Sequence, residues 1–136
     1  MCPNAKIVVH ELDAKGLCDS VLSLAYLFGF QQEKVDPDIL CVDNDIIKLE
    51  NTEIKVIHTP GHTEGCVCYL VDDVIFCGDT IFEGSVGRTD FPGGSFNNLR
   101  YSIQSKLYVL PSETVVYPGH GNRTTIEFEK NNNPYV

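Results

Sequence analysis

Short stretches in which apolar and polar residues alternate occupy much of the chain, and this alternation is typical of β-strands with one buried face. Glu50-Asn51-Thr52 and Asp72-Asp73 each separate two such stretches, which predicts two hairpins. The segment 74–77 is a short apolar run suited to a buried strand. Six strands are predicted in total: 5–9, 46–49, 53–57, 66–71, 74–77 and 114–117.

Apolar residues at helical spacing follow in the last third of the chain. Leu99, Ile103, Leu107 and Leu110 stand at positions i, i+4, i+8 and i+11. This spacing predicts an amphipathic helix over 97–110, which Pro111 ends. A last helical turn or two is predicted for 124–130. Strands and helices together indicate an α/β domain.

The remaining segments are less regular. A helix of about two turns is expected to begin at 10–13, after the first strand. The apolar segment 20–30 is interpreted either as a second helix or as a buried segment kinked at Gly29. The polar segment 31–40 is predicted to be a loop. The glycine-rich segment 81–94 is expected to lack regular structure and to shape a substrate site.

Composition and charge narrow the possible functions. A chain of 136 residues with 43% hydrophobic residues suits a single domain over 1–136. A net charge of −9 and a pI of 4.7 argue against nucleic-acid binding through a broad basic face. No apolar run approaches the ~20 residues that span a bilayer, so we expect neither a membrane segment nor a signal peptide.

The six cysteines have two interpretations, disulfides or small buried hydrophobes. Their spacing matches no zinc ribbon, and Cys66, Cys68 and Cys77 lie in predicted strands. We therefore expect reduced cysteines and a cytoplasmic protein.

Three candidate metal ligands each follow a predicted strand and adjoin glycine. They are His62 after Gly61, Asp79 after Gly78, and His120 between Gly119 and Gly121. Since functional groups gather at strand ends, we expect the three side chains to converge. Two histidines and a carboxylate suit a hydrolytic zinc, and the same set suits ferrous iron. His58, before Thr59-Pro60, is expected to pack or hydrogen-bond at its strand end.

Four ordered motifs carry a family resemblance: HTPGHT, FCGDTIF, GSVGRTDFPGGS and YPGHGNRTTIEFEKNNNP. They resemble the second half of the metallo-β-lactamase superfamily, and its small glyoxalase II-like (hydroxyacylglutathione hydrolase-like) branch in particular. The resemblance implies an αβ/βα sandwich and a site for one or two zinc ions. It implies that His62 is the third ligand of the first metal, that Asp79 bridges two metals, and that His120 belongs to the second. It assigns no definite role to Arg88 and Asp90 of the GRTDF loop.

The sequence departs from the family pattern at its beginning. The HxHxDH motif is expected just before Met1, so the resemblance implies an N-terminally truncated fold, with 1–136 as its C-terminal part. His10, Glu11 and Asp13 match the strand-to-helix passage that follows that motif, and we do not expect them to replace its ligands. A chain with three of the family's ligands is expected to hydrolyse thioesters poorly on its own.

The resemblance leaves three functions open. The first is a zinc-dependent hydrolase of the glyoxalase II type that acts on a thioester such as an acyl-glutathione. The second is an iron-dependent persulfide dioxygenase, and the third is a non-catalytic half-protein. Because the opening strands of the sandwich would be missing, we expect a homo-oligomer or a partner that supplies the N-terminal half.

Overall fold

The computed structural model describes residues 5–23 and 25–136, which fall into two compact units, Met1–Cys41 and Val42–Val136. The first unit contains two short strands that pair in parallel and two 3-10 helices. These elements are β1 (Val8–His10), 3-10 helices Ala14–Leu17 and Ala25–Phe28, and β2 (Ile39–Cys41).

Local structure in the first unit differs from the sequence-based predictions. The strand predicted for 5–9 lies at Val8–His10, and the helix expected from 10–13 is wrong. Instead a turn closes where the Asp13 amide donates to the His10 carbonyl, and the Asp13 side chain makes no capping bond to the short 3-10 helix that follows. Gly16 disfavours a longer helix there. The loop predicted for 31–40 ends in β2, which was missed because its partner β1 is distant in sequence.

Neither interpretation of the apolar segment 20–30 holds for its described residues. Only a 3-10 helix forms, at Ala25–Phe28, and Gly29 after it has a φ of 71°. Five large apolar side chains of this segment are exposed rather than buried: Val21, Leu22, Tyr26, Leu27 and Phe30. Leu24 and the side chain of Phe28 lie outside the described residues.

The second unit is built on one large sheet with a helix on it. Its strands are β3 (Ile46–Leu49), β4 (Thr52–His58), β5 (Val67–Val71), β6 (Val74–Gly78), β7 (Ile81–Phe82), β8 (Ser85–Val86), β9 (Val115–Pro118) and β10 (Thr124–Thr125). Its helices are α1 (Phe96–Ser102), which continues as a π-helical turn over Ile103–Leu107, and α2 (Ile126–Asn132). Across 5–23 and 25–136, no helix is long and apolar enough to cross a bilayer.

Strand directions in the large sheet bring three loops to one edge. The order is β10-β9-β6-β5-β4-β3, and every neighbouring pair is antiparallel except β6 with β9. The strands β4, β6 and β9 therefore run in the same direction. Both predicted hairpins are confirmed, and Glu50 and Asp72 adopt positive φ values of 55° and 52° in their turns.

A small second ribbon follows β6. Strands β7 and β8 pair through Ile81 with Val86, and Gly84 turns between them at a φ of 66°. The expectation that 81–94 lacks regular structure is therefore wrong for its first part. Two-residue strands are too short to show alternation, which is why the sequence pattern did not indicate them.

The core lies between the sheet and α1. Leu99, Ile103 and Leu107 are fully buried and share a cluster with sheet residues Ile57, Cys68, Ile75, Cys77 and Val116. The apolar stripe of the predicted helix is thus confirmed, although Leu110 lies beyond the helical residues. The Ser95 hydroxyl caps α1 by accepting a hydrogen bond from the Asn98 amide. The Thr125 hydroxyl caps α2 in the same way, with a hydrogen bond from the Phe128 amide.

The five described cysteines are thiols that form no disulfide with one another. Cys68 and Cys77 are buried as small core residues, as predicted. Cys66 is only half-buried and Cys18 is exposed, which the sequence did not indicate. Cys2 lies outside the described residues.

A buried carboxylate ties α2 to the β7–β8 ribbon. The Glu129 side chain is fully buried and accepts from the Gly84 amide, the Thr124 hydroxyl and the Asn133 side-chain amide. Burial and the nearby Glu129 charge raise the pKa of Tyr108 to about 12, so its hydroxyl keeps its proton and donates to the Glu129 carbonyl. Hydrogen bonds thus satisfy a carboxylate that has no contact with water.

We expect Glu129→Gln to lower the free energy of unfolding by about 1–3 kcal/mol, because the new amide group would face hydrogen-bond donors. Urea denaturation followed by circular dichroism measures the change. Glu127→Gln, on the exposed side of the same helix, is the matched control and should stay within about 0.5 kcal/mol of the parent chain. Equal effects of the two substitutions would contradict a specific role for the buried carboxylate.

Candidate metal centre

The three predicted ligands follow the three strands that run in the same direction. His62 lies in the loop after β4, Asp79 directly after β6, and His120 shortly after β9. A register shift at the end of β6 and a φ of 48° at Gly78 turn the backbone so that Asp79 leaves the sheet at this edge. The same edge therefore carries all three residues.

The side chains converge on the Asp79 carboxylate. His62 Nε2 lies 3.6 Å from Asp79 Oδ2, and His120 Nε2 lies 3.5 Å from Asp79 Oδ1. The predicted convergence is confirmed. Within the described part of the chain, no three His, Cys, Asp or Glu side chains close into a complete ligand group. The arrangement is thus two pairs that share one carboxylate.

A hydrogen bond fixes the orientation of the His62 ring. Its Nδ1 lies 2.8 Å from the Arg88 carbonyl oxygen. A carbonyl only accepts, so Nδ1 must carry the proton and donate it. In the neutral ring the lone pair of Nε2 then points at Asp79, which is the tautomer that metal-bound histidines adopt when Nδ1 donates to a carbonyl. Sequence reasoning assigned Arg88 no role, and its backbone carbonyl was not visible as a partner in the GRTDF motif.

Two glycines leave the space that the site occupies. A Cβ at Gly119 would overlap Asp79 Oδ1, and a Cβ at Gly87 would overlap the Asp79 carbonyl. Neither glycine has a positive φ, so close approach rather than backbone conformation requires glycine at these two positions. The Gly119 amide also donates to the Gly78 carbonyl at 2.7 Å, which joins the loops of His120 and Asp79.

The donor set fits part of a metal site. Zinc bonds of 2.0–2.2 Å in tetrahedral geometry place neighbouring donor atoms about 3.4 Å apart, close to the two separations observed here. Imidazole and carboxylate also suit iron. Each His–Asp pair supplies two donors, whereas a catalytic zinc normally has three protein ligands. Each pair thus supplies part of the donor set that a metal ion requires.

Access to the site is asymmetric. The His62 side chain is 21% exposed, the Asp79 side chain 33% and the His120 side chain 77%. The Phe82 ring lies 6.0 Å from the His120 ring, between ring centres. The site is therefore most open to solvent on the His120 side.

Buried hydroxyls and thiols lie beneath the site. The Thr59 and Thr80 hydroxyls are 3.1 Å apart, and Thr59 Oγ1 lies 3.3 Å from Cys68 Sγ. The hydrogen bond with Cys68 and burial raise the pKa of the Cys77 thiol well above its usual value. Cys77 therefore stays protonated. The hydrogen bond between the fully buried Thr59 and Thr80 joins the segment before His62 to the residue directly after Asp79.

The GRTDF loop holds an exposed ion pair. Arg88 donates through two nitrogens to both oxygens of Asp90, and its guanidinium lies 3.8 Å from the centre of the Phe91 ring. The Arg88 hydrogen bonds lower the pKa of the Asp90 carboxyl to about 2. This ion pair and ring contact fix the loop whose Arg88 carbonyl orients His62.

The other histidines have structural contacts. His58 Nε2 lies 2.8 Å from the Glu64 carbonyl, which confirms the predicted hydrogen bond at the strand end. In the first unit, His10 is buried at the end of β1, and its Nδ1 accepts from the Leu12 amide. Glu11 and Asp13 are not buried there, and Asp13 makes no side-chain capping bond.

The amino-acid sequence is similar to a known protein family and to several proteins of bacteria. The metallo-beta-lactamase superfamily pattern matches residues 3–120. An uncharacterized protein of Mycobacterium tuberculosis is 48% identical in an alignment that covers 99% of this chain and 65% of that protein. The hydroxyacylglutathione hydrolase GloC of Haemophilus influenzae is 40% identical over 96 residues, which cover 69% of this chain and 45% of GloC. The chain thus spans about half to two thirds of the length of these relatives.

Solved structures share the fold. The BLEG-1 B3 metallo-beta-lactamase superposes with a TM-score of 0.88 at 34% identity, over 96% of this chain and 64% of that one. TTHA1623 in a di-iron-bound form superposes with a TM-score of 0.83 at 32% identity, over 98% of this chain and 66% of that one. ETHE1 from Myxococcus xanthus superposes with a TM-score of 0.71 at 36% identity, over 72% of this chain and 45% of that one. The predicted metallo-β-lactamase-type α/β fold is confirmed, and the chain belongs to the metallo-beta-lactamase superfamily.

Proposed function

We propose that this chain carries the His62–Asp79–His120 part of the metal centre of a glyoxalase II-type hydrolase, whose substrate is a thioester such as an acyl-glutathione. The observation that carries the proposal is the shared carboxylate: two imidazole nitrogens face opposite oxygens of Asp79 at 3.5 and 3.6 Å. Two bases that face each other at this separation attract a cation between them. The likeness to GloC supports the thioester class.

Each residue has a distinct part in this proposal. Asp79 would give one oxygen to each of two metal positions, with His62 at one and His120 at the other. The Arg88 carbonyl holds the proton of His62 Nδ1 and so leaves Nε2 free to bind. A bound zinc supplies a water acidic enough to be hydroxide near neutral pH, together with stabilisation of the oxyanion at the thioester carbonyl. The exposed His120 side is where the thioester would enter.

The activity of the chain by itself should be low. Two donors at each metal position are fewer than the three protein ligands usual for catalytic zinc, so we expect weak metal affinity and slow turnover. The test is an assay for hydrolysis of an acyl-glutathione thioester, with and without added Zn²⁺. Zinc-dependent hydrolysis that Asp79→Ala abolishes supports the proposal, while hydrolysis unaffected by zinc or by Asp79→Ala overturns it.

An iron-dependent persulfide dioxygenase is the second candidate. The observation that favours it is the similarity to TTHA1623, which was solved in a di-iron-bound form. Two imidazoles and a carboxylate also suit ferrous iron. Oxygen uptake with Fe²⁺ and glutathione persulfide, in the absence of thioester hydrolysis, would select this reaction. Inactivity in both assays would favour the non-catalytic half-protein.

We further propose that the chain is not a monomer and pairs with a second copy of itself or with another protein. Phe76 and Tyr117 stack 5.6 Å apart on adjoining strands and are 48% and 38% exposed. Covering such apolar side chains is favourable at roughly 25 cal/mol for each Å². Light scattering should therefore give a mass above 15.1 kDa, and a sharp peak at that mass for the chain alone would contradict self-association.

A further inference from the structure

One side of the α1 helix runs along the segment that leads to His62. Ser95, Leu99, Ser102 and Lys106 recur at intervals of four, three and four residues, which places them on one helix face. We call these four residues the loop-facing side of α1. This face differs from the apolar stripe in the core, and Leu99 is the one residue that belongs to both.

Two serines of the loop-facing side hold carbonyl groups of the His62 loop. The Ser102 hydroxyl donates to the Pro60 carbonyl at 2.9 Å, and the Ser95 amide donates to the Gly61 carbonyl at 2.8 Å. Ser102 is almost fully buried, so its hydroxyl is not available to bulk water. Backbone carbonyls in an irregular buried loop require such partners.

The backbone of the His62 loop also packs directly against α1 at Gly61. A Cβ at Gly61 would overlap the backbone and Cβ of Leu99, so only glycine permits this approach. Gly61 has a φ of 147°, and its amide donates to the Thr63 carbonyl across His62. The residue directly before His62 is therefore fixed by the helix and by its own loop.

Lys106 extends the contact to the end of β4. Its ammonium donates to the His58 carbonyl at 2.7 Å and to Asp43 Oδ2 at 3.0 Å. Asp43 Oδ1 in turn accepts from the His58 amide at 2.7 Å. Burial raises the pKa of Asp43, but the bonds from His58 and Lys106 outweigh it and leave that pKa lowered. Lys106 lies in the π-helical turn, a feature often found at functional sites.

We infer that Ser102 and Lys106 are positioning residues for the metal centre, which set the place of His62 relative to Asp79 by holding the carbonyls of Pro60 and His58. The ring of His62 is held from the other side by the Arg88 carbonyl. The imidazole is thus fixed from two directions, by α1 through the backbone and by the GRTDF loop through Nδ1. The inference rests on the proposed metal-binding function.

The test compares four substitutions and a rescue in the full chain. Ser102→Ala and Lys106→Met remove the two donors, and Lys106→Arg restores a cationic donor. Ser105→Ala is the matched control, because the Ser105 hydroxyl donates to the Tyr101 carbonyl within the helix and is exposed. Lys130→Met, on the exposed surface of α2, is the control for the loss of a lysine.

Two measurements are made on each variant. Histidine ring signals are recorded by NMR in the metal-free chain, and Co²⁺ binding is followed by its visible absorption. We expect Ser102→Ala and Lys106→Met to shift the His62 signals, to leave those of His120 unchanged, and to weaken Co²⁺ binding about 10–100-fold. The two controls should match the parent chain, and Lys106→Arg should recover most of the affinity.

The outcomes separate this inference from the proposed function. Unchanged His62 signals and Co²⁺ affinity, together with a lower melting temperature, would show that the loop-facing side serves only packing and would overturn the inference. Shifted His62 signals in a chain whose parent form binds no Co²⁺ would support the positioning role and contradict the proposed metal site. Lys106 is partly exposed, so Lys106→Met is expected to fold even if Ser102→Ala does not.

Discussion

Replacing Asp79 by Asn should reduce the affinity of the chain for Zn²⁺ by more than about 100-fold. Removing a residue that only supports a ligand commonly costs 10–100-fold, and Asp79 is a candidate ligand shared by both His–Asp pairs. An amide at this position keeps the shape of the side chain but loses its charge and one acceptor oxygen. The fold should survive, because the Asp79 side chain is one-third exposed and does not belong to the apolar core.

Calorimetric titration with Zn²⁺ measures the effect, and circular dichroism confirms that the variant is folded. Asp73→Asn is the matched control, since Asp73 is an exposed aspartate in the turn between β5 and β6. It should bind Zn²⁺ as the parent chain does. If Asp79→Asn and the parent chain bind with the same affinity, the metal is held elsewhere, for example by free cysteines, and the assignment of Asp79 fails.

Gly119→Ala should disrupt the site more broadly. The added Cβ would overlap Oδ1 at the end of the Asp79 side chain and would lie 3.2 Å from the carbonyl carbon of Gly78. We expect Zn²⁺ binding to be lost, whereas the free energy of unfolding should fall by about 1 kcal/mol or less, because Gly119 is exposed and the new Cβ would overlap the end of a side chain. The added methyl group displaces the carboxylate from the position between His62 and His120.

The matched control is Gly16→Ala, at a glycine whose added Cβ would meet no atom within 4 Å and whose φ is not positive. Alanine there should leave zinc binding unchanged and stability the same or slightly higher, because it lowers the entropy of the unfolded chain. Urea denaturation and zinc titration of both variants decide the matter. A Gly119→Ala chain that binds zinc normally would mean that the loop moves at no cost.

Some parts of this structure could be predicted from the sequence because their signals are local. Alternation and turn residues indicated the hairpins around Glu50 and Asp72, and the stripe of Leu99, Ile103 and Leu107 indicated the main helix. His62, Asp79 and His120 could be selected because each follows a strand and adjoins glycine. Their convergence then depended only on the common direction of β4, β6 and β9.

Other parts depend on contacts between residues distant in sequence. Strand β2 was missed because it pairs with β1 about thirty residues earlier, and three residues are too few for alternation. Helix formation after His10 was overestimated, because no capping bond supports it. The roles of the Arg88 carbonyl, Ser102 and Lys106 could not be predicted, since a backbone acceptor or a helix-to-loop bond leaves no pattern in the sequence.

The parallel pairing of β6 with β9 affects when the candidate site can form during folding. Each hairpin of the sheet closes over a short turn, whereas β6 and β9 are joined by the whole segment 79–114, which includes α1. Closing a longer loop costs more chain entropy, and such non-local pairing slows folding. Asp79 and His120 follow directly or closely after the two strands of this pair. We therefore expect the edge that carries the candidate ligands to form in the step that pairs β6 with β9, after the hairpins have formed.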